Sequence, residues 1–340
     1  MNILFIGGTG RISTAISKAI LADEKHTLYL INRGNRTPKG LEKAIQIQGD
    51  INDEASIAKK LEGLSFDAVA DFIAFEPASL ERDYRLFKGK TKQFVFISSA
   101  SAYQKPPAHY EITESTPLVN PYWEYSRQKI AGEEYLMDLY RKEGFPITIV
   151  RPSHTYDERS VAVGVHGNKG SWQIVDRMLK GKPVIVHGDG ASLWTMTHNS
   201  DFAKGFIGLL GNIHAIGESV HITSDESLTW NQIYGTLASA LGVEYKPYYV
   251  PSDFLAAVSD YDLYGGLLGD KANSVVFDNS KLKRLVPGFV ATKRVDQGIA
   301  ETVKYILAHE ECQTKDEEFD QWCDSVIEAL EEAKKKLQKV

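Results

Sequence analysis

Asn2-Ile3-Leu4-Phe5-Ile6-Gly7-Gly8-Thr9-Gly10-Arg11-Ile12-Ser13 is the stretch that decides how the rest of the chain is read. Ile3–Ile6 is an unbroken apolar run, as expected of a strand covered on both faces. Glycines follow at once. Ile12, Ala15, Ile16, Ala19 and Ile20 then recur at helical spacing over Gly10–Leu21. A strand that turns straight into a helix must reverse sharply, which favours glycine at position 7. Gly10 leaves the backbone open to an approaching group. The helix start offers free N–H groups and the positive end of a dipole, which suits a pyrophosphate. The segment therefore predicts dinucleotide binding through Gly7, Thr9, Gly10, Arg11 and Ile12. Ser13 stands where a third glycine is usual, and its small side chain predicts only slight adjustment, with its hydroxyl in reach of a phosphate oxygen.

Outward from this unit the alternation continues. Leu28–Ile31 is a second strand, Ala55–Leu61 is helical, and Ala68–Asp71, Phe94–Ile97 and Ile147–Val150 are further strands. Right-handed crossovers then give a parallel sheet of about seven strands, a doubly wound, Rossmann-type α/β fold. The texture changes after Arg151-Pro152. Val161–Gly170 is rich in Gly and His, Trp172–Leu179 is helical, and Pro183–Val186, Val220–Thr223 and Tyr248–Val250 read as strands. The expected division is a dinucleotide-binding domain over 1–152, rejoined by about 191–225, with a smaller mixed α/β substrate lobe from 153–190 and 226–340. Asp316–Val340 reads as one amphipathic surface helix through Phe319, Trp322, Val326, Leu330 and Leu337. It ends on Lys334-Lys335-Lys336, which suits a helix C-terminus.

The chain has 340 residues with 39 Lys and Arg against 45 Asp and Glu, a net charge of −6. Such a surface repels phosphate backbones, so a nucleic-acid partner is not expected. Cys312 and Cys323 form no C-x-x-C pair and read as free thiols of a reducing compartment. With no signal sequence and no long apolar run, the expectation is a cytoplasmic protein without a membrane span. His154, His166, His187, His198, His214 and His221 make no H-x-x-x-H pair, so no metal is expected. His154 and His166 fall in expected substrate-lobe loops.

The second strand ends Tyr29-Leu30-Ile31-Asn32-Arg33. A site selective for NAD places an acid here, accepting from the ribose hydroxyls. Asn32 supplies no such charge. Arg33, Arg36 and Arg11 would instead suit a 2′-phosphate, so the reading favours NADP, with NAD as the alternative. The plain structural reading is exposed loop arginines. Asp50 follows the third strand, placed to accept from an adenine amino group.

Tyr125-Ser126-Arg127-Gln128-Lys129 sets a phenol and an ammonium four residues apart, on one helix face. A phenol of pKa about 10 is too weak a base at neutral pH. A neighbouring ammonium and a cationic nicotinamide both favour phenolate, which lets the tyrosine exchange a proton with a hydroxyl. Alone the pattern is common; after the glycine turn it points to hydride-transfer chemistry.

The full set resembles the extended short-chain dehydrogenase/reductase family, of the NAD-dependent epimerase/dehydratase type. Phe96-Ile97-Ser98-Ser99-Ala100-Ser101-Ala102-Tyr103 is similar to its S-S-x-x-V-Y segment, Arg151-Pro152-Ser153-His154-Thr155-Tyr156 to its R-P-x-x-x-Y segment, and Gly188-Asp189-Gly190 and Thr197-His198-Asn199-Ser200-Asp201 to its G-D-G and H-V-x-D elements. The resemblance covers roughly Met1 to Ala240. It implies Ser99, Tyr125 and Lys129 as catalytic residues. It also implies that Ile51, Phe72, Ile97, Pro152, His154, Tyr125 and Lys129 join the cofactor site. It further implies a homodimer paired through the helix near Glu124–Arg141, and a sugar-nucleotide substrate epimerised through transient oxidation of a hydroxyl. A simple NADP-dependent carbonyl or alcohol oxidoreductase is the alternative, and a dinucleotide-binding protein acting on RNA or a protein partner is another. Dehydratases of the family carry Asp-Glu after the catalytic Thr. Here Ala100-Ser101 follow Ser99, which disfavours elimination. Ser13, Ala102 and the segment Asp71-Phe72-Ile73-Ala74, in place of N-x-A-G, mark a divergent subgroup. The Gly-Gly-Thr-Gly opening and Asn-Arg-Gly turn are similar to the chloroplast stem-loop-binding branch, whose members include RNA-binding proteins.

Overall fold

Alternate residues of strand β1 (Asn2–Ile6) enter different cores, which is why its apolar run is unbroken. Ile3 and Phe5 pack with Ile16 and Ile20 of helix α1 (Arg11–Ala22) and with Phe202 and Phe206 of the helix Asn199–Leu209. Leu4 and Ile6 face the other way, among Leu80 and Phe87 of one helix and Leu136 of another. A computed structural model describes residues 1–34 and 39–338 and shows the sheet this pattern requires. Its strands are β1, β2 (Thr27–Asn32), β3 (Ile45–Gln48), β4 (Ala68–Asp71), β5 (Phe94–Ile97), β6 (Ile147–Pro152) and β7 (Ser219–Ile222). The seven lie in the order β7-β6-β5-β4-β1-β2-β3, all parallel. The order reverses between β1 and β4, and in doubly wound sheets the crevice at that switch point, outside the strands' carboxyl ends, receives ligands.

Helices α2 (Glu54–Lys60), α3 (Pro77–Phe87) and α4 (Glu124–Glu143) complete the elements that position the site. Helix α4 carries Glu124 in its first turn and Arg141 and Lys142 in its last, which complement its dipole, and it stops at Gly144 in the left-handed region. Its buried stripe is Ser126, Lys129, Gly132, Glu133 and Leu136, an unusually polar set for a face laid on a sheet.

The chain divides into two compact units: Met1–Thr155 with Thr195–Asp225 and Val276–Thr292, and Tyr156–Trp194 with Glu226–Val275 and Lys293–Val340. Val276–Thr292, grouped with the substrate lobe by sequence reading, belongs to the first unit. There Leu282 and Phe289 enter the core beside α1. In the second unit Val184–His187 pairs in parallel with Pro247–Val250. The last helix runs Glu317–Leu337 and is held by Arg177, whose guanidinium meets Asp320 and Asp324 at 2.7 and 2.8 Å. No described helix is long and apolar enough to cross a membrane.

Candidate active site

The glycine turn is closed by its own serine. Gly7 has φ +78°, a conformation that L side chains rarely adopt, and a Cβ there would stand 2.5 Å from Ile73 Cγ2. Ser13 Oγ donates to the Gly7 carbonyl at 2.8 Å and accepts from the Gly10 N–H at 2.8 Å. Its hydroxyl therefore staples the turn, a use different from the phosphate contact expected of it.

A cavity of about 650 Å³ opens on this turn, lined by Ile6, Gly7, Thr9, Gly10, Ile31, Asn32, Arg33, Gly49, Asp50, Ile51, Asn52 and Ile73. It collects most of the residues that sequence reading assigned to the cofactor. The Asn32 amide is already engaged, donating to Gln46 at 2.6 Å and accepting from the Gly34 N–H at 2.9 Å. Asp50 accepts from the Asn52 N–H at 2.9 Å, and Arg33 is exposed at the rim. The glycine turn, helix start and polar rim fit the adenosine and pyrophosphate part of a dinucleotide.

The other assigned residues are spread more widely. Arg11 is exposed on the first turn of α1, while Ile12 packs against the core. Phe72 also turns inward, its ring 5.1 Å from that of Phe5. Pro152 closes β6, and His154 opens the short strand that follows. Arg36 lies outside the described residues.

The catalytic candidates sit at the carboxyl ends of β4 and β5. Lys129 is buried on α4, and its Nζ donates to the carbonyls of Ala74 and Ile97 at 2.7 and 2.8 Å. Helix α4 comes close enough for this because position 132 is glycine. A Cβ there would meet Leu80 at 2.8 Å and Phe96 at 3.3 Å. The ammonium lies 4.7 Å from the Phe75 ring, 4.9 Å from Phe96 and 5.7 Å from Tyr125, so the four-residue spacing brings the phenol and the ammonium to one face. Burial pulls Lys129 down to about 8, against the opposing pull of Asp71 and Glu133. Tyr125 is half-buried, with its ring 4.9 Å from Trp123 and 6.3 Å from Phe75. Ser99 stands two residues past the end of β5 and caps the turn Ala100–Ala102, its Oγ 2.9 Å from Ser101 Oγ.

Sequence reading missed the support beneath these groups. Asp71 ends β4, and its Oδ1 accepts from the N–H groups of Ile73 and Ala74 at 2.5 and 2.9 Å. Asp71 thereby shapes the loop whose carbonyl holds Lys129, the task left open by the departure from N-x-A-G. Its Oδ2 meets Arg82 Nη2 at 3.1 Å, and Arg82 also binds Asp83 and Asn52. Burial and the nearby Asp71 carboxylate push Asp83 well above the usual carboxylate range. Under α4, Glu133 takes Arg151 on both oxygens, at 2.9 Å from Nε and 2.5 Å from Nη2, and accepts from Ser98 Oγ at 2.5 Å. Arg151 of the R-P-x-x-x-Y segment is thus a buried structural cation. Glu133 stands eight residues after Tyr125, and that spacing was the available signal.

A doubly wound sheet with a glycine-turn cavity and a Ser, Tyr and Lys set at its strand ends defines a dinucleotide-dependent oxidoreductase scaffold. The chain belongs to the NAD dependent epimerase/dehydratase family, whose profile matches residues 3–222. It is 26% identical to the 2′-dehydrokanamycin reductase of Streptomyces kanamyceticus over 302 residues, 85% of this chain and 80% of that one. It is 27% identical over 257 residues to an uncharacterized UDP-glucose epimerase of Bacillus subtilis, 66% of this chain and 78% of that one. Among solved structures, the UDP-glucuronic acid 4-epimerase of Bacillus cereus, in complex with UDP-glucuronic acid and NAD, shares the fold. Its TM-score is 0.71 at 20% identity, over 91% of this chain and 99% of that one.

Proposed function

We propose that this protein epimerises a nucleotide sugar by transient oxidation of one hydroxyl. The observation that carries this reading is the meeting of Tyr125 and Lys129 on one face of α4, with Ser99 at the end of β5, in the unit that also holds the glycine-turn cavity. A bound nicotinamide supplies the hydride acceptor and donor. Tyr125 removes the proton from the reacting hydroxyl and returns it, Ser99 hydrogen-bonds the same oxygen, and Lys129 holds the nicotinamide ribose. The relatives named as UDP-sugar epimerases support the substrate class. The test is chromatographic: with UDP-glucose and catalytic dinucleotide, UDP-galactose should form with no net reduction of the cofactor. Failure across the common UDP- and dTDP-hexoses would remove this reading. The Streptomyces relative favours a second one, net reduction of a sugar ketone, which would consume reduced cofactor stoichiometrically.

Arg33 at the cavity rim and Arg11 on the first turn of α1 support NADP over NAD, since Asn32 brings no carboxylate. Calorimetric competition decides this, and equal or tighter NAD binding would remove the arginine argument. Two copies pair through α4, so light scattering should give twice the chain mass. The protein works in the cytoplasm, which cell fractionation checks.

Gly10→Val should abolish dinucleotide binding in a folded protein. A Cβ at Gly10 meets only Ser13 Oγ at 3.3 Å and the Gly7 carbonyl at 3.9 Å, so the branch grows into the space meant for the pyrophosphate. Gly8→Val differs, because its Cβ would meet Leu30 Cδ2 at 2.5 Å and Phe5 at 3.2 Å and would damage the core. Thermal melts and cofactor titration of the two variants separate these effects. Unchanged affinity in Gly10→Val would refute the proposed pyrophosphate site.

Cofactor affinity should fall as pH rises through about 8. The Lys129 ammonium has three N–H donors, and the carbonyls of Ala74 and Ile97 take two. The neutral amine keeps only those two donors and turns a lone pair toward the ribose, so the charge-assisted bond to a ribose oxygen is lost. Lys129 loses its charge near 8, so the contact is present below that pH and lost above it. Calorimetric titration on both sides of pH 8 checks this, and a flat profile would count against the ribose contact.

A further inference from the structure

Ser126, the residue after Tyr125, is fully buried on α4, and its Oγ donates to Ser101 Oγ at 2.8 Å. Ser101 is buried in the short turn after β5, and the Nδ2 of Asn120 fixes that turn by donating to the Ser101 carbonyl at 2.8 Å. Ser101 reaches Ser99 twice: its Oγ lies 2.9 Å from Ser99 Oγ, and its N–H donates to that same atom at 3.1 Å. The three hydroxyls form one line from the helix of Tyr125 to the half-buried Ser99.

A serine hydroxyl has a single proton to give and two lone pairs with which to accept. Ser101 Oγ accepts from Ser126, so its own proton is available for Ser99. When Ser101 gives that proton to Ser99, Ser99 Oγ accepts twice, from the Ser101 hydroxyl and from the Ser101 N–H. Its lone pairs are filled and its proton points out of the line. An isolated serine rotates between giving and accepting. A sugar oxygen that passes from alcohol to ketone needs a partner that gives throughout, and a donor already aimed needs no reorientation during reaction. Each bond of such a chain also polarises the next.

We propose that Ser101 and Ser126 are positioning residues that fix Ser99 as a hydrogen-bond donor to the reacting oxygen. This rests on the reading above that Ser99 contacts the substrate. The order of protons along the line does not depend on that reading and can be seen without substrate. Neutron diffraction from crystals exchanged into heavy water should place the Ser126 deuteron between Ser126 and Ser101, and the Ser101 deuteron between Ser101 and Ser99. A Ser99 deuteron lying on the line to Ser101 would overturn the proposal. In kinetics with UDP-glucose, Ser126→Ala should lower kcat about 3- to 10-fold with KM unchanged, the size expected for one hydrogen bond. Ser101→Ala removes both hydroxyl bonds and should lower kcat further. Wild-type kcat in Ser126→Ala would also overturn it. If the unmodified protein turns over no UDP-hexose, the substrate reading fails, and the neutron result alone decides the line of hydroxyls.

Discussion

Tyr125→Phe is expected to cut turnover by roughly 10²–10⁴-fold, the usual contribution of a general acid–base group, with cofactor affinity unchanged. The substitution removes one oxygen and keeps the ring. The ring's neighbours include Trp123 at 4.9 Å, Phe75 at 6.3 Å and the Lys129 ammonium at 5.7 Å, and these ring contacts survive without the hydroxyl. Lys129 is anchored by backbone carbonyls, so it keeps its place in the variant. The loss should therefore fall on kcat, with KM and the melting temperature near wild-type values. Rates are compared on the substrate that the UDP-hexose survey identifies, with dinucleotide titration in parallel. A variant that keeps the wild-type rate would end the acid–base assignment.

Glu133→Ala is expected to destabilise the protein by about 3–5 kcal/mol, the cost of leaving a buried cation without its partner. Arg151 and Glu133 are both almost fully buried, with side-chain exposures of 4% and 3%. Removing the carboxylate leaves the guanidinium with one long bond to the Glu114 carbonyl, at 3.4 Å, and the Tyr103 ring at 4.8 Å. Ser98 loses its acceptor as well. Urea unfolding measures the effect. The double change Glu133→Leu with Arg151→Met should recover most of it, since apolar residues of similar volume often replace a buried pair without loss. A double variant as unstable as Glu133→Ala would show that packing, and not the orphaned charge, sets the cost.

The glycine turn and the strands were legible because the chemistry there is local. β1 is apolar on every inward position and meets its turn within the same few residues, and the Tyr and Lys spacing of α4 needs only helix geometry. What stayed hidden depends on partners far apart in the chain. Asp71 meets Arg82 across a loop, and Arg82 meets Asn52 across 30 residues. Helix α3 hides its pattern because Arg82 and Asp83 occupy buried positions beside Leu80 and Phe87. Ser101 and Ser126 read as ordinary small polar residues until the fold brings them within hydrogen-bond distance. Val276–Thr292 joins the first unit through Leu282 and Phe289, a return that no local periodicity announces.

The stapled turn carries a consequence for affinity. In Gly7–Ser13 the two bonds of Ser13 hold the loop in shape through the protein's own atoms. Ordering a flexible glycine loop at the moment of binding would subtract from the binding free energy; here that entropy is lost once, when the chain folds. A glycine at position 13 has no hydroxyl with which to make either bond. Ser13→Gly, a change toward the usual fingerprint, would loosen the site and weaken its grip on the dinucleotide.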